Sequence, residues 1–212
     1  MADYLTTLAT LIKEITYIFP DSVLFGSFLT SIITVSPQHG IFFISIIESL
    51  ALLFGFQSLY SSIVGGTLPR DDCRSNFYKL SFESLYIKPS ARQPSYPVYL
   101  VAFACTYLAL SLDSLKKELE VLEGSYYKCY ITSVYCLFAL AILYAIVFMF
   151  LSCDDIASIL WALVLGVGVG FLINYQNVSL FGKQSVNFLG IPILRNKSVD
   201  NKELYFCAKK KE

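Results

Sequence analysis

Long apolar runs separated by short polar breaks dominate the hydrophobic pattern of this chain. Residues 131–151 and 156–175 contain no charged residue, and only residues 152–155 separate the two runs. Each run has about the 20 residues that a helix needs to cross the hydrocarbon of a bilayer. Both runs are apolar on every face, whereas a helix on the surface of a soluble domain keeps one polar face. The pattern predicts a transmembrane helical hairpin over 130–175.

The N-terminal part of the chain is less apolar. Residues 4–19 place leucine and isoleucine at helical spacing, with Lys13 and Glu14 on the other side. We therefore predict an interfacial amphipathic helix over 1–21 that ends at Pro20, because proline lacks the amide hydrogen that a helix interior needs.

The next apolar segment, 22–60, is broken at Pro37. The break allows two crossings joined by a tight turn, or one crossing preceded by a re-entrant or tilted segment. The pattern favours two crossings.

Three further segments complete the predicted organisation. Residues 61–97 form the longest polar connection and are read as a small extramembrane element. Residues 98–123 read as a transmembrane helix with a charged extension, and 176–212 as a basic tail in which 187–194 and 203–208 have the pattern of short strands. The predicted fold class is an all-α integral membrane protein with four or five transmembrane helices, a small polar loop domain and a short tail that can form a β-hairpin.

The composition agrees with a membrane protein and gives it an orientation. Hydrophobic residues make up 56% of the chain and charged residues 15%, too apolar for one soluble domain. The net charge of +0 provides no field that would attract nucleic acid. With five crossings, the side that holds the tail carries three basic residues before the hairpin and seven in the tail, against six elsewhere. With four crossings that excess grows, so the positive-inside rule places the C-terminus in the cytosol in both cases.

Candidate catalytic chemistry is sparse. The six cysteines lack the spacing of metal ligands, and His39 is the only histidine. A histidine-dependent phosphatase or metalloprotease is therefore excluded unless another chain completes the site, and no GxSxG motif suggests a serine hydrolase. The pairs Asp71–Asp72 and Asp154–Asp155 suit turns and helix caps better than a metal. The sequence predicts no enzyme, no metal and no cofactor.

Glu48 is the one acidic residue clearly inside a predicted crossing. A carboxylate in hydrocarbon is costly and by default suggests a proton or ion site. The competing interpretation is a protonated carboxyl that hydrogen-bonds a neighbouring helix, or a position near the membrane edge. No lysine or arginine lies in the apolar runs to pair with it, and the second interpretation is favoured.

Small residues recur at every fourth position of the last apolar run, at Ser158, Ala162, Gly166 and Gly170. A similar ridge occurs in an earlier run, at Ser22, Gly26, Thr30 and Thr34. Small residues at this spacing allow helix backbones to approach closely. We predict that these faces pack against other helices, in the same chain or in a homo-oligomer.

The tail contains candidate contact residues for a partner protein or for lipid headgroups. They are Leu204, Tyr205, Phe206, Lys209, Lys210 and Lys211. The last four residues also resemble the dilysine signal that returns membrane proteins to the endoplasmic reticulum, and the alternative is a basic tail that touches anionic lipid. Asn177 and Asn196 head glycosylation sequons, which would be silent in a cytosolic tail and therefore test the topology.

Two segments together resemble multi-pass virion membrane proteins, associated with minor capsid proteins, of the nucleocytoplasmic large DNA viruses. The segments are GGTLPRDDC at 65–73 with NFYKLSFESL at 76–85, and LFGKQSVNFLGIPIL at 180–194. The resemblance covers roughly residues 57–207 and brings no catalytic residue with it. It implies a location in the internal virion membrane, which derives from host endoplasmic reticulum and lies beneath a capsid.

These observations predict a structural and interaction protein. It would anchor a virion membrane to the capsid or to minor capsid proteins, with the bilayer as its other partner. Two alternatives stay open: a small ion or proton channel or transporter that uses Glu48, and an assembly factor of the endoplasmic reticulum that is absent from the finished particle.

Overall fold

Five long α-helices form the part of the protein that the structure describes. The computed structural model describes residues 2–64, 94–117, 119, 124–151 and 155–188. The helices are α1 (Ala2–Thr34), α2 (Pro37–Val64), α3 (Tyr96–Ser114), α4 (Gly124–Leu151) and α5 (Ile156–Phe181), and a 3₁₀ helix (Lys183–Val186) follows α5. All five are long and apolar enough to cross a membrane. The predicted all-α membrane fold is confirmed, with the larger of the two predicted numbers of crossings.

Helices α1 and α2 are joined at the predicted break. Val35 has a left-handed backbone, with φ 48, and Pro37 is the first residue of α2. Proline is tolerated there because the first residue of a helix has no intrahelical acceptor for its amide. The rings of Phe28 and Phe43 lie 5.1 Å apart, so the two helices run back along each other. The break at Pro37 therefore separates two crossings.

Helix α1 does not end at Pro20, and the prediction of a separate interfacial helix over 1–21 was wrong. The proline ring removes the amide that would bond the carbonyl of Thr16, one turn earlier. The hydroxyl of Tyr144 on α4 donates to that carbonyl at 2.7 Å. Membrane helices continue through proline where a neighbouring group satisfies the freed carbonyl. The candidate span accordingly runs from Thr7 to Thr34.

Helix α3 is the centre of the bundle. Nearly all of its residues up to Ser111 are buried, and its aromatic side chains are among the least exposed in the protein. The predicted continuous helix over 98–123 is interrupted, because α3 ends at Ser114 and Leu115 forms a turn. Leu115 and Leu119 are buried and pack against Tyr130 of α4. Beyond this turn, residues 116, 117 and 119 are helical again, and the amide of Leu119 donates to the carbonyl of Leu115 at 3.0 Å.

Helices α4 and α5 follow each other in the chain, but both pack mainly against α3. Large apolar side chains on the outer faces of α1, α2, α4 and α5 are exposed, among them Ile142 and Leu160. In a bilayer these side chains contact lipid, which is why the helices lack a polar face.

The bundle has two ends, which we name by the segments that leave them. The tail face holds the ends of α1, α3 and α5, at Thr34, Ser114 and Phe181. The loop face is the opposite end, where Val64 and Tyr96 border residues 65–95. Of the predicted tail strands, the structure describes only residues 187–188, which are not in a strand, and the remainder lies outside the described residues.

Candidate functional site: a polar network between α2, α3 and α5

The small-residue stripe of α5 continues into two asparagines. Asn174 lies four residues after Gly170, and Asn177 lies one turn further, near the tail face. Both side chains are only 4% exposed. A buried amide in a membrane helix is unfavourable unless its hydrogen-bonding groups have partners. The partners of these two residues define the site.

Asn177 joins three helices. Its side-chain amide donates to Ser45 Oγ on α2 at 2.7 Å and to Tyr107 Oη on α3 at 2.8 Å. The Ser45 hydroxyl in turn donates to the carbonyl of Ile41 at 2.8 Å. Both N–H groups of the amide are therefore used, and each one ties α5 to a different neighbour.

Asn174 makes a second connection, to α3 alone. Its side-chain amide donates to Ser111 Oγ at 2.9 Å and to the carbonyl of Tyr107 at 3.2 Å. Ser111 donates to the same carbonyl at 2.7 Å. These three groups fix the register between α3 and α5 over the last turns before the tail face.

The segment after α5 covers the network. Gly182 has φ +75, a backbone conformation that glycine adopts without strain, and it turns the chain back over the bundle. Ser185 then donates to the carbonyls of Gly182 at 2.8 Å and of Asn177 at 3.2 Å. The Phe188 ring lies 5.5 Å from that of Phe42. Water is kept from the asparagines by this aromatic and 3₁₀ cover.

Every side chain of the network is hydrogen-bonded. Among the described residues, none of the buried side-chain atoms of Ser45, Tyr107, Ser111, Asn174, Asn177 or Ser185 lacks a hydrogen-bond partner. Donors in this condition hold helices together, and a ligand could use them only by displacing one helix from another.

Glu48 lies one turn from Ser45 on α2, beside this network. Its carboxylate accepts a hydrogen bond from the Gln176 side-chain amide at 3.2 Å, at an exposed position of α5. Glu48 is at the midpoint of the candidate span Pro37–Leu59. The pair forms a second connection between α2 and α5, parallel to the one between Ser45 and Asn177. The sequence offered no basic partner for Glu48, and the structure gives it a neutral one.

The four small residues of α5 lie against α3. Ser158, Ala162, Gly166 and Gly170 are all buried. A Cβ atom added at Gly166 would lie 2.6 Å from the carbonyl oxygen of Tyr99 and 2.9 Å from the Cβ of Ala102. One added at Gly170 would lie 3.1 Å from the carbonyl oxygen of Phe103. At Gly166 the backbones approach too closely for any side chain, and at Gly170 a side chain would make an unusually tight contact.

The similar ridge on α1 is different. A Cβ atom added at Gly26 would meet nothing within 4 Å, and Thr30 and Thr34 are exposed. Their hydroxyls donate to carbonyls of their own helix, Thr30 to Gly26 at 2.9 Å and Thr34 to Thr30 at 2.6 Å. Among the described residues, no other helix packs against this ridge at Gly26.

Further hydrogen bonds hold the bundle toward the loop face. The Tyr99 hydroxyl donates to the carbonyl of Ser49 at 2.8 Å, and the Tyr96 hydroxyl donates to Asp21 at the same distance. The side-chain amide of Gln57 donates to the carbonyl of Pro94 at 3.1 Å. Tyrosines of α3 therefore tie it to α1 and α2 at this end.

The other residues that the sequence suggested as caps, contact residues or metal ligands say little about function. Asp155 occupies the N-cap of α5, although its side chain makes no capping bond. The predicted contact residues 204–206 and 209–211 lie outside the described residues. Within the part of the chain that the structure describes, no three His, Cys, Asp or Glu side chains are grouped so that they could hold a metal.

Sequence reasoning missed the asparagines. Asn177 was noted only as a glycosylation acceptor, whereas the structure buries its side chain against α2 and α3. The role of Asn174 could have been predicted from the sequence, because this polar residue continues the four-residue spacing of the small residues. A polar residue at the end of a packing stripe marks where an interhelical hydrogen bond belongs.

Comparison with known proteins does not assign this chain to a family. No family model, no curated protein and no solved structure matches this chain. The resemblance to virion membrane proteins stays a prediction, and function has to be argued from the contacts above.

Proposed function

We propose that this chain is a structural membrane protein, a helical scaffold that holds partner proteins at a bilayer. The buried network in which the amides of Asn174 and Asn177 donate to neighbouring helices is the observation that carries the proposal. A transport or catalytic site keeps polar groups that can exchange partners with a substrate. Here the buried donors bond neighbouring helices, and two glycine contacts lock α5 onto α3. This arrangement suits a rigid body better than a moving gate.

The finer proposal places the scaffold in the internal membrane of a large DNA virus, derived from host endoplasmic reticulum. The supporting observations are the resemblance over 65–85 and 180–194 and the basic excess on the side of the tail. Capsid or minor capsid proteins would dock on the part of the predicted tail 176–212 that follows α5, where Leu204, Tyr205 and Phe206 offer apolar contacts and three lysines suit acidic surfaces.

Mass spectrometry of purified particles tests this finer proposal. A structural component of the virion membrane is expected in the particle at a copy number that matches a repeated capsid feature. Absence from particles, together with presence in the endoplasmic reticulum of infected cells, would contradict it and favour the assembly factor. A sub-stoichiometric trace would also contradict it.

A second candidate function, a proton or ion channel, rests on the position of Glu48. A carboxyl group at the middle of a span is the type of residue that proton pathways use. Against this, its carboxylate already accepts a hydrogen bond from Gln176. The structural proposal and the channel differ in whether the protein conducts.

A further inference from the structure

Two polar side chains at the loop face are buried although each has an oxygen atom without a partner. Gln57 is 4% exposed and Ser95 is 5% exposed. Neither Gln57 Oε1 nor Ser95 Oγ has a hydrogen-bond partner in the described part of the bundle. Burial of a polar atom without a partner costs free energy, and in folded proteins an ordered water commonly supplies the missing bond. A small polar ligand between the two side chains would remove this cost.

One hydrogen bond brings Gln57 and Ser95 together. The side-chain amide of Gln57 donates to the carbonyl of Pro94 at 3.1 Å, and the carbon of that carbonyl is bonded to the amide nitrogen of Ser95. The same bond identifies Oε1, because the reversed carboxamide would place two acceptors against each other. The acceptor Oε1 therefore lies beside the peptide bond that leads into Ser95.

The Ser95 hydroxyl is available because it does not cap α3. A serine at the N-cap usually accepts the amide of the second or third helical residue. Here the second helical residue is Pro97, which has no amide hydrogen, and the Ser95 side chain makes no capping bond. The backbone groups of Ser95 are both used, since its amide donates to the Ser158 carbonyl at 3.4 Å and its carbonyl accepts the Tyr99 amide at 2.9 Å.

The chemistry of the two oxygen atoms selects water as the ligand. Gln57 Oε1 can only accept, so the ligand has to donate a hydrogen bond to it, whereas the Ser95 hydroxyl can donate or accept. An anion has no hydrogen to give to Oε1. A water molecule suits both atoms, and its other hydrogen can use the second lone pair of the Pro94 carbonyl. Both residues lie at the ends of candidate spans, Pro37–Leu59 and Tyr96–Ser114, where water is close.

We propose that Gln57 and Ser95 hold one buried water molecule, which donates to Gln57 Oε1 and accepts the hydroxyl hydrogen of Ser95. This water would join the end of α2 to the start of α3 at the loop face, where the Ser95 amide already joins α3 to α5. The site is independent of the structural function proposed above, because a channel or an assembly factor could equally contain it.

The sign of a stability change tests the site. In Ser95→Ala the water loses one of its partners, so the melting temperature of the full-length chain in detergent should fall by about 2–4 °C. Loss of a helix cap does not contribute, since the Ser95 hydroxyl makes no capping bond.

Thr106→Val is the matched control on the same helix. Thr106 Oγ1 is also buried and lacks a hydrogen-bond partner in the described residues. The side chain of Thr106 packs closely on α5, because a Cβ atom added at Gly170 would lie 3.1 Å from the Cβ of Thr106. This packing leaves little room for a water, so the melting temperature of Thr106→Val should be unchanged or higher.

Two outcomes of the melting experiment would overturn the proposal. If Ser95→Ala melts at or above the wild-type temperature, the hydroxyl had no partner to lose, and equal losses in the two variants would show that the effect is not specific to Ser95. A crystal structure of the wild-type chain that shows ordered water then separates a bound water from a direct bond, and it decides alone if Ser95→Ala does not fold. A water peak within hydrogen-bonding distance of both oxygens supports the site. Empty density, a direct contact between the two oxygens, or a peptide or lipid group between them contradicts it.

Discussion

Asn177 is the residue on which the contact between α2, α3 and α5 depends most. Asn177→Leu keeps a similar volume but removes both donors, so the hydroxyls of Ser45 and Tyr107 lose a partner in a buried environment. We expect the free energy of unfolding in detergent to fall by about 1–2 kcal/mol. Ser179→Ala, at an exposed position half a turn away, should change it little. Equal stability of the two variants would show that the network does not hold the helices.

Gly166 and Gly168 provide a matched pair of substitutions two residues apart. Gly166→Ala puts a methyl group 2.6 Å from the carbonyl oxygen of Tyr99, so α3 and α5 must separate. We expect a loss of about 1–3 kcal/mol in thermal or detergent unfolding, as for an overpacked core. Gly168→Ala meets nothing within 4 Å and should gain up to about 1 kcal/mol of helix propensity. If both variants behave alike, α5 does not pack on α3 as described.

At the residue scale, the sequence predicted the small face of α5 but could not select its partner. Spacing shows that Gly166 and Gly170 share a face, yet the ridge of Gly26, Thr30 and Thr34 has the same spacing and, at Gly26, packs against no helix of this chain. The difference arises from tertiary geometry, because only one ridge faces the buried helix α3. The hydrogen bonds of Asn177 could not be predicted for a similar reason. The glycosylation sequon was the only local sequence pattern that drew attention to this residue.

At the element scale, the continuation of α1 through Pro20 depends on a hydroxyl from another helix. Tyr144→Phe leaves the Thr16 carbonyl without a donor and should cost about 1 kcal/mol. In a Pro20→Ala background the amide of residue 20 can bond that carbonyl, so the same substitution should cost clearly less. A double-mutant cycle in detergent unfolding measures the coupling. Strictly additive effects would show that Tyr144 does not compensate for the proline.

The hydrogen bond from Tyr144 to the Thr16 carbonyl also explains why the helix end predicted at Pro20 was wrong, whereas the break predicted at Pro37 was right. Proline usually ends a helix, and at Pro37, where the sequence predicted a break, it starts one. At Pro20 the same residue type lies inside a helix because Tyr144, 128 positions from Thr16 in the chain, donates to the carbonyl of Thr16. Local patterns cannot reveal such a partner. The turn at Leu115, whose side chain is buried against Tyr130 of α4, was also missed.

At the scale of the whole molecule, five crossings place the two ends of the helical bundle on opposite sides of the membrane. From the basic excess on the side of the tail we expect the tail in the cytosol. In sealed microsomes, added protease should remove an epitope placed after Glu212 and spare one placed after Ser90. Protection of the epitope after Glu212 would invert the orientation. A glycan on Asn196 would do the same, whereas Asn177 is too buried to report on it.

Conductance of the purified protein separates a rigid scaffold from a channel. The full chain is reconstituted into liposomes, and proton and potassium flux are measured for the wild type and for Glu48→Gln, which keeps a polar side chain that can pair with Gln176. If the polar groups serve helix packing, both proteins should conduct no more than protein-free liposomes, and both should retain their helical content. A robust flux in the wild type that Glu48→Gln abolishes while folding is intact would contradict the structural function and establish the channel.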